Sequence, residues 1–202
     1  QRRPVAKIAI VHITPDRGLC GGLNANINRL TASFILEQNI PITLICVGRK
    51  GLDFMRRHSR NIQAEFTRLS DRPNLLDTLP ISRIIIDDYS NGIIDLVYLV
   101  YTHFASTMLQ RPVLQQILPV EPATIPGTQN VDYIYEPNPD VVLGGLLPRF
   151  VEMQVYQAIL ESIASEQSAR MMAMRNATDN ANELTQDLTL TYNKARQEMI
   201  TK

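Results

Sequence analysis

The chain has 202 residues, 45% hydrophobic and 20% charged, which excludes a disordered polypeptide and allows one compact domain with something left over. Twenty basic residues balance twenty acidic ones, so no net field draws nucleic acid or an anionic bilayer to it. No apolar run approaches the roughly 20 residues that span a membrane, and Gln1-Arg2-Arg3-Pro4 resembles neither a signal nor an anchor.

From Val5 to Ile13 the run VAKIAIVHI is β-rich and almost continuously apolar, the pattern of a strand buried on both faces of a sheet. A glycine-rich turn follows. Leu23 to Glu37 places Leu23, Ile27, Leu30, Phe34 and Ile35 on one helical face. Ile40 to Val47 reads as a second strand. Gly48 and Gly51 then lead into a short helix carrying Leu52, Phe54 and Met55. Asn61 to Leu69 alternates weakly and reads as a more exposed strand. Asn74 to Tyr89 resumes helical spacing, with Pro80 expected to kink or split it. Asp95 to Phe104 is a further strand. Six prolines between Arg111 and Pro139 predict extended chain, with short edge strands at Val113–Leu118 and Val131–Tyr135.

Strands alternating with helices predict an α/β fold, a Rossmann-like central sheet with helices on both faces, occupying residues 1–139. Residues 140–202 are then a connection and a long C-terminal helix. From Arg149 to Lys202 there is neither glycine nor proline, a length of roughly 80 Å if wholly helical. A globule of this size is only about 40 Å across, so such a helix projects. Thr178, Asp179, Asn180 and Asn182 are poor helix formers and leave open a break into two helices. Beyond them Ala177, Asn180, Leu184, Leu188, Thr191, Ala195 and Met199 trace one narrow stripe, as in a coiled coil. So sparse a stripe stabilises a lone helix only marginally, so it calls for a partner helix. The chain opens almost directly into a strand and stops within a helical pattern, so that partner is expected in a segment missing here or in another chain.

Cys20 and Cys46 form no CxxC pair, and His12, His58 and His103 are far apart, so no metal site is expected. His12 and His103 sit in strand-like runs, where a satisfied core histidine is the expectation. DRGLCGGLN, from Asp16 to Asn24, lies between strand and helix, where backbone amides can cradle a phosphate. It matches neither GxxxxGK[ST] nor GxGxxG, so a tight structural turn and an anion site both stay open. The adjacent Asp87 and Asp88 point apart on a helix, as a solvated pair or a helix-end feature. Catalytic constellations are absent from the text.

DRGLCGGLN at Asp16, YEPNPD at Tyr135 and VEMQVYQ at Val151 together resemble the gamma subunit of F-type ATP synthases. SEQSARMMAMRNATDNA, from Ser165 to Ala181, and LTYNKARQEMIT, from Leu190 to Thr201, closely resemble that family's C-terminal shaft helix. The resemblance covers nearly the whole chain. It implies a Rossmann-like domain plus a long C-terminal helix belonging to an antiparallel coiled coil, its N-terminal helix missing here.

The resemblance further implies a non-catalytic rotor shaft that couples proton-driven rotation of a membrane ring to ATP synthesis or hydrolysis at beta subunits, without a cofactor of its own. The implied partners are the alpha and beta subunits of the catalytic hexamer, the epsilon subunit and the ring of c subunits. Arg196, Gln197 and Thr201 are expected to hydrogen-bond a loop of a beta subunit, and Arg17 and Cys20 to lie near a beta subunit's lower rim. Tyr133, Tyr135 and Glu136 match the region that contacts epsilon and the c ring, though edge-strand packing explains the tyrosines equally well. The cysteine pair inserted in chloroplast relatives has no counterpart, so thiol regulation is not expected. The implied location is peripheral, on the cytoplasmic face of a bacterial membrane, with the mitochondrial inner membrane less favoured. The rival reading is a nucleotide- or phosphate-binding Rossmann-like enzyme using the DRGLCGG loop.

Overall fold

The computed structural model describes residues 4–58, 60–120 and 138–201. In chain order the elements are β1 (Ile8–Ile13), α1 (Leu23–Glu37), β2 (Ile42–Val47), α2 (Arg49–Arg57), β3 (Ile62–Phe66), α3 (Leu75–Ser90), β4 (Leu96–Ser106), β5 (Leu109–Leu118) and α4 (Pro139–Thr201). The sheet runs β3-β2-β1-β4-β5, parallel except for β5, which pairs antiparallel with β4 at one edge.

β1 is central and fully buried, and its side chains divide by parity, as the pleat requires. Ile8 and Ile10 join α1 and α2 through Ile27, Ile35, Leu52 and Met55. Ala9, Val11 and Ile13 face the other way, onto α3 and α4 through Ile81, Ile85, Val155 and Ile159. Helices therefore cover both faces, as the unbroken apolar runs predict.

The strand begins at Ile8 rather than Val5. Asp95 explains the offset: its carboxylate accepts from the backbone N–H of Ala6 (2.9 Å) and Lys7 (3.2 Å), so the entering chain is held by a side chain instead of a ladder. Pro80 lies within α3 without splitting it. The carbonyl its ring leaves without an intrahelical partner belongs to Leu76, a residue on the exposed side of the helix. Asn74 and Asp77 start this helix as a reciprocal capping box. Pro112 falls within β5, tolerated because an edge strand can turn a missing N–H outward.

α4 reaches further back than expected and is continuous where a break was left open. It starts at Pro139 and runs through Gly144, Gly145 and Pro148. It is also unbroken across residues 176–182, where the Thr178 hydroxyl donates to the Met174 carbonyl (3.0 Å) instead of capping a new helix. At 63 residues the helix is roughly 95 Å long. Val151, Val155, Ala158 and Ile159 bury against the sheet, whereas every residue from 174 to 201 is exposed. The expected edge strand at Val131–Tyr135 lies outside the described residues.

Candidate functional site

The glycine-rich loop leaves β1 across a tightly packed corner. The Thr14 N–H donates to the Val47 carbonyl (2.8 Å), and its hydroxyl accepts from the Gly51 N–H (2.8 Å). Gly48 adopts φ 91°, and a Cβ there would sit 1.7 Å from the Thr14 carbonyl oxygen, so only glycine fits. Asp16 then clamps the loop from beneath. One carboxylate oxygen accepts from the Arg49 N–H at the start of α2, the other from the Arg68 N–H, both at 2.8 Å. The amide beginning α2 is thus already served by an anion of the protein itself, which disfavours a bound phosphate at that helix end.

Beyond Asp16 the loop turns its side chains to opposite sides. Arg17 is exposed, and Leu19, at φ 63°, is 75% exposed. Cys20 is buried. The Asn24 amide donates to the Arg17 carbonyl (3.4 Å) and to the Cys20 sulfur (3.3 Å). Burial, then the nearby Glu166 carboxylate, pushes the Cys20 thiol up. Cys20 therefore anchors the loop from within, while Arg17 and Leu19 are what the loop presents. Arg170 of α4 ties the loop to the long helix through the Gly18 carbonyl (3.5 Å), its guanidinium held by an ion pair with Glu166 one turn back on the same helix.

Arg196 and Gln197 are exposed near the far end of α4. Thr201, one turn beyond Gln197, donates its hydroxyl to the Gln197 carbonyl (2.7 Å), leaving its oxygen only as an acceptor for a partner. Arg17 and Cys20 come together, but Arg196 lies some 26 residues of helix beyond Arg170, or roughly 40 Å away. There are two surfaces, one at the base of the projecting helix and one near its tip. Tyr133, Tyr135 and Glu136 lie outside the described residues.

The histidines divide as well. His12 is wholly buried, Nε2 against the Asn28 side-chain amide oxygen (2.9 Å) and Nδ1 against the Thr31 hydroxyl (3.0 Å), and burial lowers its pKa to about 4. Nε2–H of the neutral ring donates to the Asn28 side-chain oxygen, while the Thr31 hydroxyl, which donates to the Ile27 carbonyl (3.0 Å), lies against Nδ1. His103 is not in the core as expected; it is half-exposed on β4 and paired with Glu161 of α4. Asp88 accepts from the Gln63 amide (2.6 Å) near the end of α3, as a helix-end feature.

Sequence reasoning passed over Asp16 as a clamp, together with Ser162, Ser165, Glu166, Ser168 and Arg170. The available signal was the spacing of Ser162, Ser165 and Ser168, which continues the buried face of α4 with hydroxyls.

A family described as ATP synthase matches residues 1–202. The ATP synthase gamma chain of Dehalococcoides mccartyi strain CBDB1 is 65% identical over 201 residues, covering 100% of this chain and 70% of that relative. The gamma chain of Roseiflexus castenholzii is 52% identical over 204 residues, covering 99% of this chain and 70% of its own length. Among solved structures, the central stalk and c-ring of the Tetrahymena thermophila mitochondrial ATP synthase aligns with a TM-score of 0.68 at 26% identity, over 88% of this chain and 79% of that one. The Euglena gracilis mitochondrial ATP synthase rotor gives 0.69 at 20% identity, over 97% and 75% respectively, and supports the fold alone. With a sheet domain that carries a helix far longer than the domain can cover, the chain belongs to the ATP synthase gamma-chain family and is a rotor shaft of the central stalk.

Proposed function

We propose that the exposed section of α4 turns within a catalytic hexamer of alpha and beta subunits, and that the sheet domain rides on an epsilon subunit and a membrane ring of c subunits. The chemistry belongs to the beta subunits; this chain supplies an asymmetric rod. A partner shifts conformational populations only by binding the alternatives unequally, so one face of α4 must meet the beta subunits one at a time. Arg196, Gln197 and the Thr201 oxygen are the polar groups that a beta loop would engage, each charge-assisted bond being worth about 1.5–3 kcal/mol. Arg17, backed by Cys20 and Asp16, would meet acidic residues at a beta subunit's lower rim. Tyr133, Tyr135 and Glu136 are assigned to epsilon and the c ring by motif alone.

The observation that carries this reading is the unbroken exposure of residues 174–201, with Leu184, Leu188, Met199 and Ile200 all 59% exposed or more. A helix so exposed and so long is stabilised by what surrounds it in an assembly. Among the described residues no helix is long and apolar enough to cross a membrane. The proposed location is peripheral, held through the complex on the cytoplasmic face of a bacterial membrane. The rival phosphate-binding reading is not favoured by the relatives, which are ATP synthase gamma chains over the whole of this chain.

The test is Arg196→Ala with Gln197→Ala in the full-length chain assembled with its alpha and beta subunits. The expected result is ATP turnover lowered about tenfold or more, the effect of losing one charge-assisted bond. Unchanged assembly and turnover would remove the beta-loop assignment.

A further inference from the structure

The buried face of α4 changes chemistry along its length. Between Val151 and Ile159 it is apolar; from Ser162 to Ser168 it is hydroxylic and still buried. The change coincides with the end of a strand. The last β1 residue paired with β4 is His12, opposite Val100, and β4 continues to Ser106.

Past that point α4 serves β4 where β1 no longer does. The Thr102 N–H donates to Ser162 Oγ (3.2 Å), and the Ser165 hydroxyl donates to the Thr102 carbonyl (3.0 Å). One turn on, the Ser168 hydroxyl donates to the Thr107 carbonyl at the β4–β5 turn (2.9 Å). Arg170 completes the set on the other side of the helix's exit, at the Gly18 carbonyl. From residue 174 onward the helix is exposed, so these bonds form a polar collar where the shaft leaves the domain.

Apolar burial is non-directional. It keeps the helix on the sheet but opposes rolling only through side-chain interdigitation. Hydrogen bonds weaken steeply when their angle is lost, so hydroxyls spaced three apart and bonded to fixed backbone atoms define the helix's rotation about its own axis. A shaft under torque needs that constraint at its exit. We propose that Ser162, Ser165 and Ser168, with Arg170, lock the shaft helix against rotation about its own axis, so that torque passes between the exposed shaft and the sheet domain without slip. The lock rests on the rotor role and adds positioning residues to it.

The test uses the full-length chain assembled with alpha and beta subunits fixed to a surface, with a bead on the sheet domain. Its angular variance is measured during catalytic pauses. Ser162→Ala, Ser165→Ala and Ser168→Ala combined should broaden that variance about twofold, since most of the directional contacts are gone, while unloaded ATP hydrolysis stays unchanged. Ser165→Thr, which keeps a hydroxyl, should leave the variance near that of the unaltered chain. Ile159→Val, which weakens the core without touching the hydroxyls, should not change it. An unchanged variance in the triple variant overturns the lock. Should that variant not assemble, Ser168→Ala alone carries the test: a broader distribution supports the lock and an equal one overturns it. An unaltered complex that does not rotate at all would instead sink the rotor role.

Discussion

α4 is one helix built on two principles. Its first half is stabilised by this chain: Val151, Val155, Ala158 and Ile159 close one face of the sheet together with Ile81 and Ile85. Among the described residues its second half has no such neighbour, and its stripe from Ala177 to Met199 mixes alanine, asparagine and threonine with leucine. The two halves share backbone geometry and differ in where their free energy comes from. Tertiary burial supports the first, whereas the second depends on propensity and on whatever surrounds it in the assembly. If this contrast is right, changes in the sheet domain act on folding, and changes in the outer shaft act on assembly.

The largest effect is expected where the sheet domain has no slack. Gly48→Ala forces a side chain into a left-handed conformation and against the Thr14 carbonyl, which must move to admit it. The expected loss is roughly 3–5 kcal/mol, combining backbone strain with overpacking, as read by urea denaturation. A loss below about 1 kcal/mol would mean that the corner beneath the DRGLCGG loop is loose.

The next effect is pH-dependent. His12 is buried and neutral, its pKa lowered from 6.5 to about 4 by desolvation. A group that is harder to protonate folded than unfolded contributes stability that is complete above pH 6.5 and lost as pH falls through 4. The loss is on the order of 3 kcal/mol. Denaturation at pH 7 and pH 4 should therefore differ by more in the unaltered chain than in His12→Gln, which cannot take up the proton. Equal pH dependence would show that His12 does not stay neutral in the fold.

Much of this architecture was legible beforehand, because continuous apolar runs and helical spacing report burial directly. β1, α1 and the projecting helix came from that signal. What stayed hidden depended on partners distant in sequence. Nothing near Val5 shows that Asp95 will hold the entering chain, and nothing near Pro80 shows that the orphaned carbonyl will belong to an exposed turn. Gly144, Gly145 and Pro148 argue locally against a helix that nevertheless passes through them. Cys20 illustrates the limit for the site: a motif places the loop, but only the fold decides which side chains turn outward.

The smallest effects draw the boundary between the halves most sharply. Ile159→Val removes one methylene from a closed core and should cost about 1 kcal/mol in the isolated chain. Leu188→Ala removes far more, yet from a side chain already 60% exposed, and should change stability by less than about 0.5 kcal/mol. The inversion is the informative part, since by size alone the leucine deletion ought to be the costlier. Should Leu188→Ala prove as damaging as Ile159→Val, the outer helix must be packed against its own domain, and the division of α4 into a self-supported root and a partner-supported shaft would fail.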